Sequence, residues 1–467
     1  NNAATATIAG SVLLGNNSTV DNSGSIGGSV SAGENATISN NTGATIGGWV
    51  TAGNGSTVVN DSIIGGGVTI KGDSEFTNNG TVTGSQNAYD GATTVNNGTI
   101  ISQGKNNVVS MDGASSSVNG GDIYIGYNRD EDGNPEVAEA AGHYVAIRVD
   151  GAGSKFTNAN DGTNAGNIYV SSTQTNATIV QVQNGGSYVS DEGTNITLNA
   201  DGGSTDTLGS TTGNSNKAIL VKGADSTADI AGTITLNDSG STAIQAQDGA
   251  TVDFSGEINL NSQNVDSTAV ANFGIWAQGD GTTVTLSDDA IINMNADRAI
   301  GVHVRDGATV VVNDEAGIVF ADDKTNQIGF LISGIADGTT ALEYNSTKDL
   351  VLAGEGSVLF RVERGSNFSS SSIDSDNPTL STFSTNGTKD ATIFVITSGQ
   401  VATGSNHQTT ADLSGFTLEV DGEDAIGVRV EGGAQATITD STTLSLTGDG
   451  AILAKVDGKY YDLNGNV

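Results

Sequence analysis

The sequence contains no cysteine and only two prolines among its 467 residues. The lack of cysteine excludes a disulfide framework and a thiolate zinc site. No run of 18 apolar residues, the minimum for a transmembrane helix, occurs anywhere in the chain. The first residues, NNAATATIAGSV, contain neither the charged nor the apolar region of a signal peptide. We therefore expect no direct insertion of this segment into a membrane.

Basic residues are scarce, because 17 Lys and Arg stand against 53 Asp and Glu, for a formal net charge of −36. Such a field repels nucleic acid, so we predict no nucleic-acid partner. Aromatic residues make up only 5% of the chain, which together with many small polar residues is also typical of disorder. A regular pattern of β-branched residues along the whole chain instead indicates an ordered fold.

What the chain has in abundance is glycine, at 66 residues, and it is arranged in repeats. Near the N-terminus a glycine heads each unit at Gly10, Gly28, Gly48 and Gly66. Units of about twenty residues that hold several short strands and no helical stripe are typical of a solenoid. Apolar and polar residues alternate within each strand, as in a sheet with one buried face.

From about residue 107 the units lengthen and each contains three short strands, as in AIGVHVRDGA (299–308), TVVV (309–312) and GIVF (317–320). We predict an all-β fold, a right-handed parallel β-helix with three-stranded solenoid rungs, as one domain over residues 1–467. Short rungs occupy residues 1–106 and longer rungs residues 107–467. Loop excursions are predicted near residues 127–143 and 365–390, which contain both prolines. A β-propeller fits less well, because its blades need about 40 residues.

An acidic residue precedes the turn glycine after the first strand of many rungs. These residues are Asp112, Asp150, Asp248, Asp306 and Glu431, with Asp280 at the equivalent place in GIWAQGDG, and Asn184 and Lys222 interrupt the column. Asp-Gly is also ordinary turn chemistry at any single position. Two like charges about 4.8 Å apart cost about 1 kcal/mol even in water. A stacked row is therefore expected to serve solvent, a cation or a ligand.

A second acidic row follows the third strand. Its members are Asp201, Asp238, Asp297, Asp322, Asp323, Asp421 and Asp449. Basic residues stand beside the first row at Arg148, Lys222, Arg305 and Arg429. Together the rows predict a long, mixed polar groove that binds a ligand. Simple salt bridges are the alternative role for the basic residues.

Trp276 is the most informative aromatic residue. Ile275 occupies the inward position shared with Ile147, Ile219 and Ile244, so Trp276 is predicted to point outward. An exposed indole beside hydrogen-bonding side chains is a platform for sugar stacking or a protein hot spot. Packing beneath a neighbouring loop is the alternative.

Rungs such as NNGTI, VNNGT, TVDNSGSI and the AIGV repeats, without cysteine, resemble the passenger domains of AIDA-type autotransporter adhesins, especially those of uropathogenic enterobacteria. This resemblance implies type V secretion and a place at the bacterial cell surface, through an outer-membrane barrel outside this sequence, or release as a secreted protein. It also implies adhesion to host glycosaminoglycans or another extended polysaccharide, to a matrix protein such as fibronectin, or self-association in aggregates and biofilm.

Parallel β-helices also include polysaccharide lyases and hydrolases, which leaves an enzymatic alternative. The carboxylate pairs Asp288–Asp289 and Asp322–Asp323 are available for glycoside hydrolysis. With so many acids, adjacent pairs are expected by chance, and we predict no catalytic residue, no metal ligand and no cofactor. Calcium at the stacked aspartates stays open, although no GGxGxD repeat supports it.

Overall fold

The computed structural model describes residues 1–103, 107–138, 145–198, 215–262, 272–334, 340–371, 381–398 and 408–458. Within these ranges the regular secondary structure is all strand, and nearly every pairing between strands is parallel. The chain divides into two compact units. Unit 1 comprises Asn1–Thr205 and Asn214–Ile234, and unit 2 comprises Asp206–Gly213 and Thr235–Val467. Each unit is a stack of parallel rungs, so the predicted parallel β-helix is confirmed.

Each rung of unit 1 contributes one strand to each of three sheets. Sheet 1 contains Val12–Leu14, Val30–Ala32, Val50–Ala52, Val68–Lys71, Gln86–Tyr89, Val109–Met111, Val145–Asp150, Thr178–Gln183 and Lys217–Lys222. Sheet 2 contains Thr19–Asn22, Thr37–Asn40, Thr57–Asn60, Glu75–Asn78, Thr93–Asn96, Ser116–Asn119, Lys155–Asn158, Ser187–Ser190 and Thr227–Ile230. Sheet 3 contains Thr7–Ile8, Ser25–Ile26, Thr45–Ile46, Ile63–Ile64, Thr81–Val82, Thr99–Ser102, Asp122–Ile125, Asn167–Val170 and Asn195–Leu198. The strand Thr233–Leu236 includes the point where the chain passes from unit 1 to unit 2.

Unit 2 has the same order of strands within a rung. Sheet 1 contains Thr242–Gln247, Phe273–Gln278, Ile300–Arg305, Ile328–Ser333, Val358–Glu363, Thr392–Thr397, Ile426–Glu431 and Ile452–Asp457. Sheet 2 contains Thr251–Phe254, Thr283–Leu286, Thr309–Val312, Ala341–Tyr344, Asn367–Ser369, Thr410–Asp412 and Gln435–Thr437. Sheet 3 contains Glu257–Leu260, Ile291–Met294 and Gly317–Phe320, and a separate sheet contains Leu350–Val351, Thr382–Ser384, Thr417–Val420 and Thr443–Leu446.

Alternation along each strand builds the core. In sheet 2 of unit 1, Ile38 pairs with Val58 and Val58 pairs with Phe76, and all three side chains are buried. Along each of these strands, the residues that alternate with the buried ones point to the other face, as the period-two pattern predicts. Because the strands are parallel and in register, an inward position repeats from rung to rung, which explains the repeated sequence.

Unit 1 also buries a column of asparagines at the end of its sheet 2 strands. The side-chain amide of each donates to the side-chain oxygen of the next at 2.7–2.8 Å. The column runs through Asn2, Asn22, Asn40, Asn60, Asn78, Asn96, Asn119 and Asn158. Most of these amides also donate to a backbone carbonyl near the start of sheet 3, as Asn40 does to Ile63. The column therefore satisfies polar groups that lie inside the core where the chain passes from sheet 2 to sheet 3.

Aromatic rings fill part of the core of unit 2. The Phe360 ring stacks between Phe330, at 5.0 Å between centroids, and Phe394, at 4.7 Å. Tyr344 and Phe383 meet the same cluster. All of these side chains are buried, so this part of the unit has a conventional hydrophobic core in place of an asparagine column.

The first predicted excursion contains an antiparallel hairpin, Tyr127–Arg129 with Pro135–Val137. Residues 139–143 of that prediction lie outside the described residues. The second predicted excursion, 365–390, is too long, because Asn367–Ser369 and Thr382–Ser384 are rung strands. Residues 372–380 lie outside the described ranges.

Candidate functional site

The candidate site is the outward face of sheet 1 in unit 2. Ile275 is buried and pairs with Ile244 and Val302, so its neighbour Trp276 points to the other face, as predicted. In that outward column Trp276 pairs with Gln245 and with His303. Alternation of the strand thus places the indole among side chains of adjacent rungs.

Trp276 is half-buried, because neighbouring rings pack against it. Its ring centroid lies 4.9 Å from that of Phe273 and 4.9 Å from that of His303. The guanidinium carbon of Arg305 lies 5.7 Å from the ring centroid, within cation–π range. The indole Nε1 donates to Gln278 Oε1 at 3.2 Å. These contacts pack the indole against its neighbours in one orientation.

Amides and one carboxylate continue this surface. Gln278 Nε2 and Arg305 Nε both donate to Asp306 Oδ2, at 3.1 and 2.7 Å. On the rung before, Gln245 Nε2 donates to Gln247 Oε1 at 3.0 Å. We call the following set the amide–tryptophan face: Gln245, Gln247, Trp276, Gln278, Arg305 and Asp306. It combines an aromatic plane with groups that both donate and accept hydrogen bonds.

His303 supports the indole from the following rung. Burial and the nearby Arg305 lower the pKa of His303 to about 4, against an opposing effect of Asp306. The imidazole is therefore neutral at neutral pH and behaves as a packing group under the face. On later rungs the same outward column is buried at Leu331, Arg361 and Val395, and it becomes accessible again at Arg429 and Lys455.

Unit 1 has a comparable polar network on its sheet 1. Gln181 Nε2 donates to Gln183 Oε1 at 2.6 Å, and Gln183 Nε2 donates to Asp150 Oδ2 at 2.9 Å. Asn184 Nδ2 and the Arg148 guanidinium also donate to Asp150. Burial acts to raise the pKa of Asp150, but these hydrogen bonds hold it below its ordinary value. The carboxylate is thus held ionised within a network of amides.

The first acidic row does not form one continuous column. In unit 1, Asp150 pairs with Gln183, and Asp112 follows Met111, which pairs with Val149. In unit 2 the registers of the acids differ. Glu431 is a strand residue in the register of Arg305. Asp248 and Asp306 each come one residue after this register. Asp280 comes two residues after Gln278, which lies in the same register as Arg305.

Turn geometry explains these offsets. Asp248 and Asp306 have backbone φ angles of 59° and 51°, the left-handed region that aspartate tolerates in turns. Glu431 instead lies on a strand and is 1% exposed. The predicted members Asp248, Asp280, Asp306 and Glu431 therefore do not share one register in the described part of unit 2, although Glu431 pairs directly with Asp457.

The arginines of the predicted groove are engaged in ion pairs. Arg148 pairs with Asp150, Arg305 with Asp306, and Arg429 with Glu431. Lys222 lies in the register of Gln183 at the end of its strand. Each of these arginines therefore compensates the charge of the acid beside it.

Three members of the second acidic row accept hydrogen bonds from neighbouring residues or rungs. Asp297 Oδ1 accepts from the Thr325 amide at 2.7 Å, and Asp421 Oδ1 accepts from the Thr385 hydroxyl at 2.8 Å. Asp238 is buried and accepts from the Ser241 hydroxyl at 2.6 Å. Asp322, Asp323 and Asp449 are exposed, and Asp323 pairs with Lys324. Asp201 lies outside the described residues.

A groove on sheet 3 of unit 1 was missed at the level of sequence. Asn167 Nδ2 donates to Asp122 Oδ1, and Asn195 Nδ2 donates to Asn167 Oδ1, both at 3.0 Å. Tyr124 and Tyr169 stack beside them at 4.8 Å between centroids. A shallow cavity of about 320 Å³ borders Asp122 and Asn167. The sequence does indicate this groove through the repeated strands DIYI and NIYV, which have polar and aromatic residues at their outward positions.

In the ranges the structure describes, no group of three or more His, Cys, Asp or Glu is placed to hold a metal ion. A helix able to cross the bilayer is likewise not found in those ranges. No protein-family model, curated protein or solved structure matches the chain.

Proposed function

We propose that the chain is a non-enzymatic adhesin that binds an extended polysaccharide on the amide–tryptophan face. The observation that carries this proposal is the fixed indole of Trp276, bordered by Gln278, Arg305 and Gln245. A sugar ring presents an apolar face that stacks on an indole and hydroxyls that donate and accept hydrogen bonds. The face offers both kinds of contact side by side.

Repetition of the rung favours a polymer over a single sugar. Gln247, Gln278 and Arg305 occupy one outward register on three successive strands. Parallel strands lie about 4.8 Å apart, so equivalent hydrogen-bonding groups recur along the face. Several weak contacts to one polymer add up to useful affinity through effective concentration.

Charge favours a neutral polymer over a sulfated one. Binding a glycosaminoglycan would require Arg305 to exchange the carboxylate of Asp306 for a sulfate, in a chain of net charge −36. The resemblance to autotransporter adhesins implies binding of glycosaminoglycans and fibronectin. Binding of each of these ligands is therefore tested separately from binding of neutral polysaccharides. Display at the bacterial surface belongs to the same proposal and rests on that resemblance.

A glycan array with the purified chain tests the proposal, with release of reducing ends measured in parallel. We expect binding of neutral polysaccharides without turnover, and an affinity loss of about tenfold or more for Trp276→Ala. The matched control is Trp49→Phe, which changes the other tryptophan. Turnover of the bound polymer, or unchanged affinity of Trp276→Ala, would refute the proposal.

Self-association is the second candidate, favoured by the outward ladder Asp122–Asn167–Asn195 on sheet 3 of unit 1. Side-chain amides on two copies are able to pair with each other. Sedimentation velocity at increasing concentration tests this candidate. Dimers that disappear in Asn167→Asp, which places a carboxylate beside Asp122, would support it, and a monomer at all concentrations would exclude it.

A further inference from the structure

Unit 1 contains a cavity of about 960 Å³ that is separate from the amide–tryptophan face. One wall is the hairpin Tyr127–Arg129 with Pro135–Val137, and the other consists of rung residues that include Trp49, Thr83 and Ser85. Tyr127 is buried and meets Tyr124 edge to face at 5.4 Å, which anchors the hairpin to its rung. The cavity is therefore part of the folded unit.

Trp49 is 45% exposed, which is unusual for so large an apolar side chain. Its indole lies against Gly66 and Gly67 of the next rung. A Cβ at Gly67 would lie only 2.5 Å from the Trp49 ring, and one at Gly66 only 2.9 Å. Glycine at both positions thus allows the ring to lie close to the backbone, with part of its surface accessible at the cavity.

The lining of the cavity is strongly acidic. Among the described lining residues, Asp130, Glu131, Asp132 and Glu136 supply four carboxylates, and Arg129 supplies one guanidinium. The Asn134 backbone amide donates to Asp130 Oδ1 at 2.6 Å, and these turn hydrogen bonds lower the pKa of Asp130. Glu131, Asp132 and Glu136 are exposed. A cation in the cavity would therefore meet several carboxylates.

We propose that this cavity binds a lysine or arginine side chain of a basic peptide segment. Trp49 supplies an aromatic face for the cation, and Glu131, Asp132 and Glu136 supply the opposite charge. The site lies in unit 1 and is independent of the polysaccharide proposal, so each can fail alone.

The test is fluorescence anisotropy of a fluorescein-labelled tetra-arginine peptide titrated with the intact chain. We expect saturable binding that Trp49→Ala weakens by about tenfold, as does the combined change Glu131→Gln, Asp132→Asn and Glu136→Gln. Trp276→Ala is expected to leave peptide binding unchanged. Circular dichroism and the thermal midpoint establish that each variant is folded.

The matched control removes three exposed acids of unit 2, by Asp288→Asn, Asp289→Asn and Asp322→Asn. If this control weakens binding as much as the hairpin variant, general attraction to a chain of net charge −36 explains the result and the proposal is wrong. The proposal is also wrong if unlabelled maltohexaose, a neutral hexasaccharide, displaces the peptide and binds more weakly to the Trp49→Ala variant. The cavity would then be a saccharide site. Retained binding in Trp49→Phe with loss in Trp49→Ala would support an aromatic wall.

Discussion

The side-chain amide of Asn60 donates a hydrogen bond of 2.7 Å to the side-chain oxygen of Asn78, and both residues are fully buried. Asn60 also accepts from Asn40 at 2.8 Å and donates to the carbonyls of Ser62 and Thr81. A buried polar group is tolerated only when its hydrogen bonds are made, and here each rung supplies the partner for the next. The asparagine column thus links successive rungs of unit 1.

Replacing Asn60 with alanine is expected to lower the free energy of unfolding by roughly 2–4 kcal/mol, because the buried Asn40 amide loses its side-chain acceptor and the buried Asn78 oxygen loses its side-chain donor. Equilibrium urea unfolding measures the change. Thr57→Ala, at an exposed position of the same strand, is the control and is expected to change stability by about 0.5 kcal/mol or less. An equal effect of both changes would show that the column contributes no special stability.

The architecture was predictable because a parallel rung imposes the same inward positions on every turn. Ile244, Ile275 and Val302 pair in register, as the repeated first strands indicate. The buried asparagines were not predicted, although VNNGT and TVDNSGSI repeat in the sequence. A period-two pattern assigns polar residues to the solvent-exposed face. Only the three-dimensional structure shows that an inward asparagine finds hydrogen-bond partners where the chain passes from sheet 2 to sheet 3.

The structure confirms the predicted outward direction of Trp276 but does not place the predicted acidic residues in one column. The outward direction of Trp276 follows from alternation along one strand. The predicted row was wrong because the rungs were aligned on the turn glycine, which does not mark the residue at which each strand ends. Asp306 lies in the turn, whereas Glu431 is a strand residue in the register of Arg305. The cavity beside Trp49 depends on a hairpin and a rung brought together only in three dimensions, which no local pattern contains.

Phe360 is expected to be a principal stabilising residue of unit 2, because it stacks with both Phe330 and Phe394. Phe360→Ala removes these contacts and leaves a cavity, which costs about 3–5 kcal/mol. Phe360→Leu retains much of the volume and is expected to cost less than half as much. Denaturant unfolding of both variants measures the difference. Equal losses would indicate that the ring contacts, and not the volume that the side chain fills, account for the stabilisation.

His303 gives unit 2 a defined dependence of stability on pH. Burial, with Arg305, lowers its pKa in the folded state to about 4, against about 6.5 in an unfolded chain. The unfolded state therefore binds a proton first as the pH falls, and stability that is present above pH about 6.5 is lost toward pH about 4. Between pH 7 and 5 this residue alone is expected to cost about 2 kcal/mol.

The comparison variant is His303→Leu, since leucine already occupies the paired position at Leu331. Urea unfolding of both proteins at pH 7 and pH 5 gives the difference in pH dependence. The variant is expected to lose less stability than the native chain over this interval, because its side chain does not titrate. The same loss in both proteins would show that carboxylates, and not His303, account for the dependence on pH.

Gln278 connects the aromatic and charged parts of the amide–tryptophan face, because it accepts from Trp276 Nε1 and donates to Asp306 Oδ2. Gln278→Ala is expected to weaken polysaccharide binding by about five- to tenfold, since the indole and the carboxylate lose their common partner. Asp306→Ala alone is expected to have a similar effect. If Gln278 acts through Asp306, the double variant is expected to bind about as well as either single variant, and isothermal titration calorimetry measures all four affinities. Additive losses would instead mean that the two side chains contact the polymer independently.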